Sequence, residues 1–385
     1  MCKNHTGECQ VEYYVEVSRL VESAVIGNKA SSVNLTKKLI DTLKKNGDLV
    51  AAAGLEKKLK IDQGGVVKPQ GIFDKPVPVE KDNRFSLADR IFPNSDESKV
   101  FLSDAKSNEV ESFLSYIRKQ ERLKDLGIPA NPSLLLHGVP GTGKSQLVNY
   151  IASELELPLV VARSDALISS YLGSTSKNIR SLLEYANSEP CVLFLDEFDS
   201  IAKARDDKNE IGELKRVVVS LLQNIDSLNN TVLVAATNHP HLLDPAVWRR
   251  FHYKMELGLP ELEVRKKLIQ YRLRNFLDND NDINVLAKLT SGRTGAEIEM
   301  VVHEYLRFIV INDLEFKLSE VSRRVLQDKY PNLSFSAENK KQEFIWLHEC
   351  DSGLFTYRLL AMIFDISLSY VGKILKGNNK WVKTQ

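Results

Sequence analysis

One octapeptide constrains this chain more than any other stretch: Gly138-Val139-Pro140-Gly141-Thr142-Gly143-Lys144-Ser145. It follows the apolar run Leu134-Leu135-Leu136 and precedes a helical pattern over 146–154, so a strand must turn through glycines into a helix. Glycines there let successive backbone N–H groups point inward at an anion, and the helix start adds its partial positive charge. Three further apolar runs, at 159–162, 192–195 and 232–235, alternate with helical stretches. Strands spaced by helices call for a parallel sheet covered on both faces. From about Pro260 the strand signal disappears and the rest reads as helix. The expected fold class is α/β: a P-loop parallel sheet flanked by helices, then an all-α small domain, with additional helical units at both ends.

The residues at the strand ends carry the chemistry. Lys144 is placed to reach the β- and γ-oxygens of a bound nucleotide, and the Ser145 hydroxyl to ligate Mg²⁺. Val192-Leu193-Phe194-Leu195 delivers two carboxylates, Asp196 and Glu197, at its carboxyl end. Acids closing an apolar run are costly unless a cation or water satisfies them. Asp196 is placed to hold the Mg²⁺ shell, and Glu197 to polarise an attacking water. The run at 232–236 ends in Thr237-Asn238, and Asn238 either orients that water or reads the γ-phosphate. Three strands ending in polar groups fit a site at the carboxyl edge of a parallel sheet.

At these residues the chain resembles an AAA ATPase of the group that remodels or threads polypeptides, over roughly residues 85 to 315. The segment 138–145 resembles the Walker A loop, 194–197 the Walker B, and Asn238 the sensor-1 residue. Leu243-Asp244-Pro245-Ala246-Val247-Trp248-Arg249-Arg250-Phe251 is similar to the family's arginine-finger segment. The stretch from Ser291-Gly292 to Glu297 resembles the small domain's turn at the sensor-2 position. Val139 replaces a usual proline and Ser145 a usual threonine; Gly295-Ala296 stands where an arginine can occur. The segment before residue 130 carries no familiar lead-in, so the adenine pocket is not assigned from sequence.

The resemblance implies ATP and Mg²⁺ as cofactors and a closed homo-oligomeric ring, usually hexameric. Arg249 and Arg250 follow the last recognisable strand and would serve a neighbour's site. In Ile168-Ser169-Ser170-Tyr171-Leu172-Gly173, Tyr171 and Leu172 match the loop that lines the family's central pore. They would grip an extended protein client by apolar contact. The charged stretch 205–213 reads as a second pore loop or a solvated helix start.

The remaining chain divides as follows. Residues 1–60 read as a helical bundle for partner or client recruitment, with Leu35, Leu39 and Leu43 near a 3.6-residue repeat. Gly64-Gly65, Pro69, Gly71, Pro76 and Pro78 make 61–84 a flexible linker. The ATPase α/β domain is then 85–259, the small helical domain 260–330, and the C-terminal unit 331–385. In that unit, 357–377 resembles a helix-turn-helix, with Ala361 at the close approach and Phe364, Ile366, Val371 and Ile374 inside. Ser369 is placed to cap the second helix, and Asp365 occupies a turn position where glycine is frequent. Tyr370, Lys373 and Lys376 would then face DNA.

Composition narrows the setting. With 52 basic and 51 acidic residues the net charge is +1, so any nucleic-acid contact must come from a local patch. From 351 to 385 there are five basic residues and two acidic ones. No signal-peptide core or membrane-length apolar run is present, and four scattered cysteines suit a reducing compartment, which together predict a cytoplasmic protein. Cys2, His5 and Cys9 lack a fourth metal ligand. The leading functional expectation is an ATP-driven ring that remodels a protein or regulates a partner protein; an ATPase acting on DNA through the C-terminal unit is the alternative. A slow nucleotide switch holding a toxic or proteolytic partner is a third class. The layout also resembles bacterial ATPases paired with a subtilisin-like protease in plasmid maintenance or phage defence.

Overall fold

The computed structural model describes residues 29–45, 76–80, 84–94, 98–128, 130–167, 174–202 and 231–381, with a few isolated positions besides. Helix α1, Lys29–Lys45, buries Leu39, Ile40 and Leu43 against Ala52 and Leu55. That agrees with the periodicity of its leucines; the other expected helices of 1–60, and most of the linker, lie outside the described residues.

Six strands form one sheet: β1 Ala88–Ile91, β2 Ser133–His137, β3 Leu159–Ala162, β4 Cys191–Leu195, β5 Thr231–Thr237 and β6 Tyr253–Glu256. Their order is β1-β3-β4-β5-β2-β6, with β1 antiparallel to β3 and every other pair parallel. The interior strands are apolar along their middles because helices cover both faces. Alternate side chains serve the two layers. Leu135, Leu193, Leu195 and Leu233 pack with Ile179 and Leu182 of α6, Ser174–Ser188. Leu134, Leu136, Val192, Phe194 and Val234 pack with Phe113 and Leu114 of α2, Asp104–Arg118, and with Leu147 and Ile151 of α4, Lys144–Glu154. Between α2 and β2 lies the short α3, Gln120–Asp125; α5, Ser164–Leu167, leads towards α6.

Two strands escape the sequence pattern. At the edges, β1 and β6 mix charged and apolar residues, since only part of each is covered. Because β6 follows Arg249 and Arg250, the run at 232–236 is not the sheet's last strand, contrary to expectation. Two short helices complete this layer: α7, Asp199–Ala202, and α8, Pro245–Arg250.

Beyond β6 the chain is helical: α9 Leu262–Leu273, α10 Asp280–Leu289, α11 Gly295–Ile311, α12 Leu318–Lys329, α13 Lys340–Cys350, α14 Tyr357–Phe364 and α15 Leu368–Trp381. Ile269, Leu273, Leu286, Tyr305 and Val321 form one core. Val325 and Leu326, one turn further along α12, join Phe344, Leu347, Phe364, Val371 and Leu375 in a second. Helix α12 therefore ties the last three helices to the preceding ones. Ser367, not Ser369, caps α15: its hydroxyl accepts from the Tyr370 N–H at 3.2 Å, while Ser369 hydrogen-bonds the Ser367 hydroxyl. Among the described residues no helix is long and apolar enough to cross a membrane.

Candidate nucleotide site

The loop between β2 and α4 is shaped by three glycines with positive φ: Gly138 at 145°, Gly141 at 77° and Gly143 at 93°. At Gly138 the close approach is absolute, since a Cβ would stand 2.1 Å from the Leu257 carbonyl oxygen. Lys144 opens α4 and is buried; its Nζ donates to the carbonyls of Gly138 and Val139, at 2.9 Å each. Burial lowers the Lys144 pKa, against the opposing pull of Asp196. A buried ammonium whose described partners are carbonyl oxygens is disposed to accept an anion, whose charge offsets its desolvation.

The ends of adjacent strands meet this loop. Ser145 Oγ donates to Asp196 Oδ2 at 3.2 Å, while Asp196 Oδ1 accepts from the Glu197 N–H at 2.9 Å. Glu197 takes a left-handed φ of 47° and is exposed towards the cavity. The following residue, Phe198, donates its N–H to Ala236 O at 2.8 Å, fastening the turn after β4 onto β5. On β5, the Thr237 hydroxyl donates to Asp199 Oδ1 at 2.6 Å, which leaves the next residue, Asn238, to face the cavity. Asn238 Oδ1 is buried and has no hydrogen-bond partner among the described residues.

These groups line one cavity of about 640 Å³. Its other wall joins Val100, Phe101 and Leu102, ahead of α2, to Val264 and Leu268 of α9 and to Leu257–Leu259. This apolar wall has no counterpart in the sequence reading, because an irregular segment carries no periodic signal. The small helical domain closes the cavity directly. Ala296 N–H donates to Gly141 O at 3.1 Å. The closeness falls on Gly141, where a Cβ would lie 3.0 Å from Thr294 Oγ1 and 3.1 Å from the Ala296 methyl. Thr294 caps α11 in a reciprocal box: its hydroxyl accepts from Glu297 N–H, and Glu297 Oε2 accepts from Thr294 N–H at 2.7 Å. Hydrogen bonds from the Thr294 backbone and hydroxyl hold the Glu297 carboxyl below its ordinary range. Arg293 turns instead to Asp328 of α12.

The groups present fit Mg²⁺ and a nucleotide. One carboxylate and one hydroxyl suit an ion that keeps several waters and takes other ligands from phosphate. The glycine cradle, the buried ammonium and the orphan Asn238 acceptor supply the complementary surface. Cys191 is no rival for chemistry here: burial pushes its thiol up to about 12.

Other expected site residues lie elsewhere. Arg249 and Arg250 end α8 and are exposed, and neither lines the cavity. Their helix is anchored from behind: Asp244 caps it through Ala246 N–H, Val247 is buried, and Trp248 packs on His137 with ring centres 5.3 Å apart. Burial lowers the His137 pKa. Tyr370, Lys373 and Lys376 are exposed on α15. Tyr171, Leu172 and the stretch 205–213 lie outside the described residues, as do Cys2, His5 and Cys9.

Residues 134–259 match the model of the ATPase family associated with various cellular activities (AAA). An uncharacterized AAA family ATPase of Sinorhizobium fredii is 33% identical over 296 residues, which is 77% of this chain and 89% of the relative. The proteasome-activating nucleotidase of Aeropyrum pernix is 34% identical over 221 residues, 54% of each chain. A cell division cycle protein 48 homolog of Archaeoglobus fulgidus is 30% identical over 223 residues, covering 55% of this chain and 30% of that protein. The chain thus spans most of the first relative but about half or less of the other two. With a phosphate loop, two carboxylates and an asparagine brought to one sheet edge, and a relative alike over most of its length, the chain belongs to the AAA family of ATPases.

Proposed function

We propose that the chain works as a homo-oligomeric ring, hexameric as is usual in the family, that hydrolyses ATP with Mg²⁺ to remodel or thread a protein client. The observation that carries this reading is the convergence of β2, β4 and β5 on one cavity, with Ser145 paired to Asp196 and the Asn238 acceptor left open. Lys144 and the loop N–H groups hold the β- and γ-phosphates, and Ser145 and Asp196 hold the metal ion. When bound by these residues, the metal ion would supply positive charge against the phosphate oxygens. Glu197 takes the proton of the attacking water. Asn238 carries an acceptor, Oδ1, and an amide donor, and so either orients that water or reads the γ-phosphate.

Arg249 and Arg250, held outward at the end of an anchored helix, complete a neighbour's site. The expected result for Arg249→Ala and for Arg250→Ala is retained nucleotide affinity with hydrolysis lost by about 10³-fold, read by phosphate release beside a nucleotide titration. Full hydrolysis by both variants would remove the case for a shared site.

A protein client is supported by the kinship with a proteasome-activating nucleotidase and by the Tyr171-Leu172 pair. Tyr171→Ala is expected to spare ATP hydrolysis and abolish remodelling, measured in cells as loss of the chain's biological effect at unchanged protein level. If that effect survives Tyr171→Ala but dies on truncation before Asp351, the C-terminal helices rather than a pore loop make the decisive contact. Recruitment is assigned to 1–60, and the setting to the cytoplasm. A proteolytic partner accords with the layout of the chain.

A further inference from the structure

We propose that α15 is a duplex-DNA-binding helix, presented by the three-helix unit α13–α15. The inference is independent of the nucleotide chemistry and rests on how the turn and the outer face of α15 are built.

The turn between α14 and α15 takes three residues, 365–367. Asp365 adopts φ 50° and ψ 54°, the left-handed conformation that ends a helix abruptly and usually falls to glycine. Ile366 N–H then returns to Ala361 O at 3.0 Å. The non-glycine residue is held there by Arg323 of α12, which bonds both the Asp365 carboxylate and the Ile363 carbonyl. One arginine thus ties the turn between the two helices to α12. Phe364 and Val371 are fully buried, while Ile366 and Ile374 pack at the rim, as a helix-turn-helix requires.

What α15 leaves outside is the second observation. Val371 and Leu375 point into the core, whereas Ser369, Tyr370, Lys373 and Lys376 are exposed. Their spacing places them along one side of the helix. No acidic residue occurs in α15, and the one acid between 357 and 381, Asp365, is engaged by Arg323. The stripe joins two hydroxyls to two lysines and contains no aliphatic side chain; Leu368 is exposed beside it, and the Tyr370 ring meets Phe344 edge-on. The stripe is complementary to a polyanion with hydrogen-bonding edges. An unpaired helix of this kind fits the major groove, with Ser369 and Tyr370 near its N-terminal end facing base edges and Lys373 and Lys376 on phosphates.

The test uses the full-length chain and a fluorescein-labelled mixed-sequence duplex, with anisotropy followed across a sodium chloride series. Binding is expected to weaken as salt rises. Lys373→Glu/Lys376→Glu is expected to lower affinity at low salt by more than about tenfold and to reduce the salt slope by about 2. Its thermal transition and ATP hydrolysis should match those of the parent chain, since neither lysine enters the core. Lys124→Glu, an exposed control, should bind as the parent does. Failure of the parent chain to bind duplex at low salt would overturn the proposal. So would equal binding by the double variant, or capture of a polypeptide by this face with no affinity for duplex.

Discussion

Glu197→Gln should slow phosphate release from ATP by about 10² to 10⁴-fold while leaving nucleotide affinity within a few-fold of the parent chain. Its backbone N–H still bonds Asp196 Oδ1, so the amide keeps the turn and the Ser145–Asp196 pair in place. Only the proton acceptor is lost. Because the hydrolysis step is removed and binding is not, the variant should hold ATP and any client together, so a pulldown recovers more client than with the parent. Mixing it with the Arg249→Ala/Arg250→Ala double variant gives a sharper reading. Some sites in a mixed oligomer would combine an intact Glu197 with a neighbour's intact arginines, so two inactive preparations should regain activity on mixing. Unchanged turnover in Glu197→Gln would place the base elsewhere.

Gly138→Ala should destabilise the folded chain by about 3 kcal/mol or more. The added methyl would meet the Leu257 carbonyl at 2.1 Å, at a φ of 145° that side chains rarely adopt. The obstacle is backbone, and it is pinned: Leu257 N–H donates to His137 O at 2.8 Å, so β6 cannot shift without leaving β2. Gly127→Ala is the matched comparison. Gly127 also has positive φ, at 72°, but open space around it, so strain alone should cost about 1 kcal/mol. Denaturant midpoints of both variants, measured against the parent, separate overlap from strain. A Gly138→Ala chain as stable as Gly127→Ala would refute the close-approach account.

The interior strands and the phosphate loop were legible because each is a contiguous signal. Residues 192–195 read as a strand since both faces are buried, and 138–145 as a loop since glycines must turn there. Edge strands gave no such run: in Tyr253-Lys254-Met255-Glu256 only Met255 is buried. The apolar wall of the cavity escaped for another reason. Phe101 lies in an irregular segment, and Leu268 on a helix far along the chain; only the closed fold brings them together. At the C-terminus the two helices are readable, whereas the cap is Ser367 and not the expected Ser369, since both serines sit beside the helix start. The use of α12 in two cores was also hidden. Val321, Val325 and Leu326 form one apolar stripe in sequence, and only packing separates the partners of its two ends.

The bond from Ala296 N–H to Gly141 O has a mechanical consequence. It joins the start of α11 to the glycine loop, so a displacement of α11 would be felt at the loop that the proposed function assigns to phosphate. Coupling between two bound states is reciprocal. If nucleotide draws the helical domain inward, then resistance that holds this domain back must weaken the hold on nucleotide by the same factor.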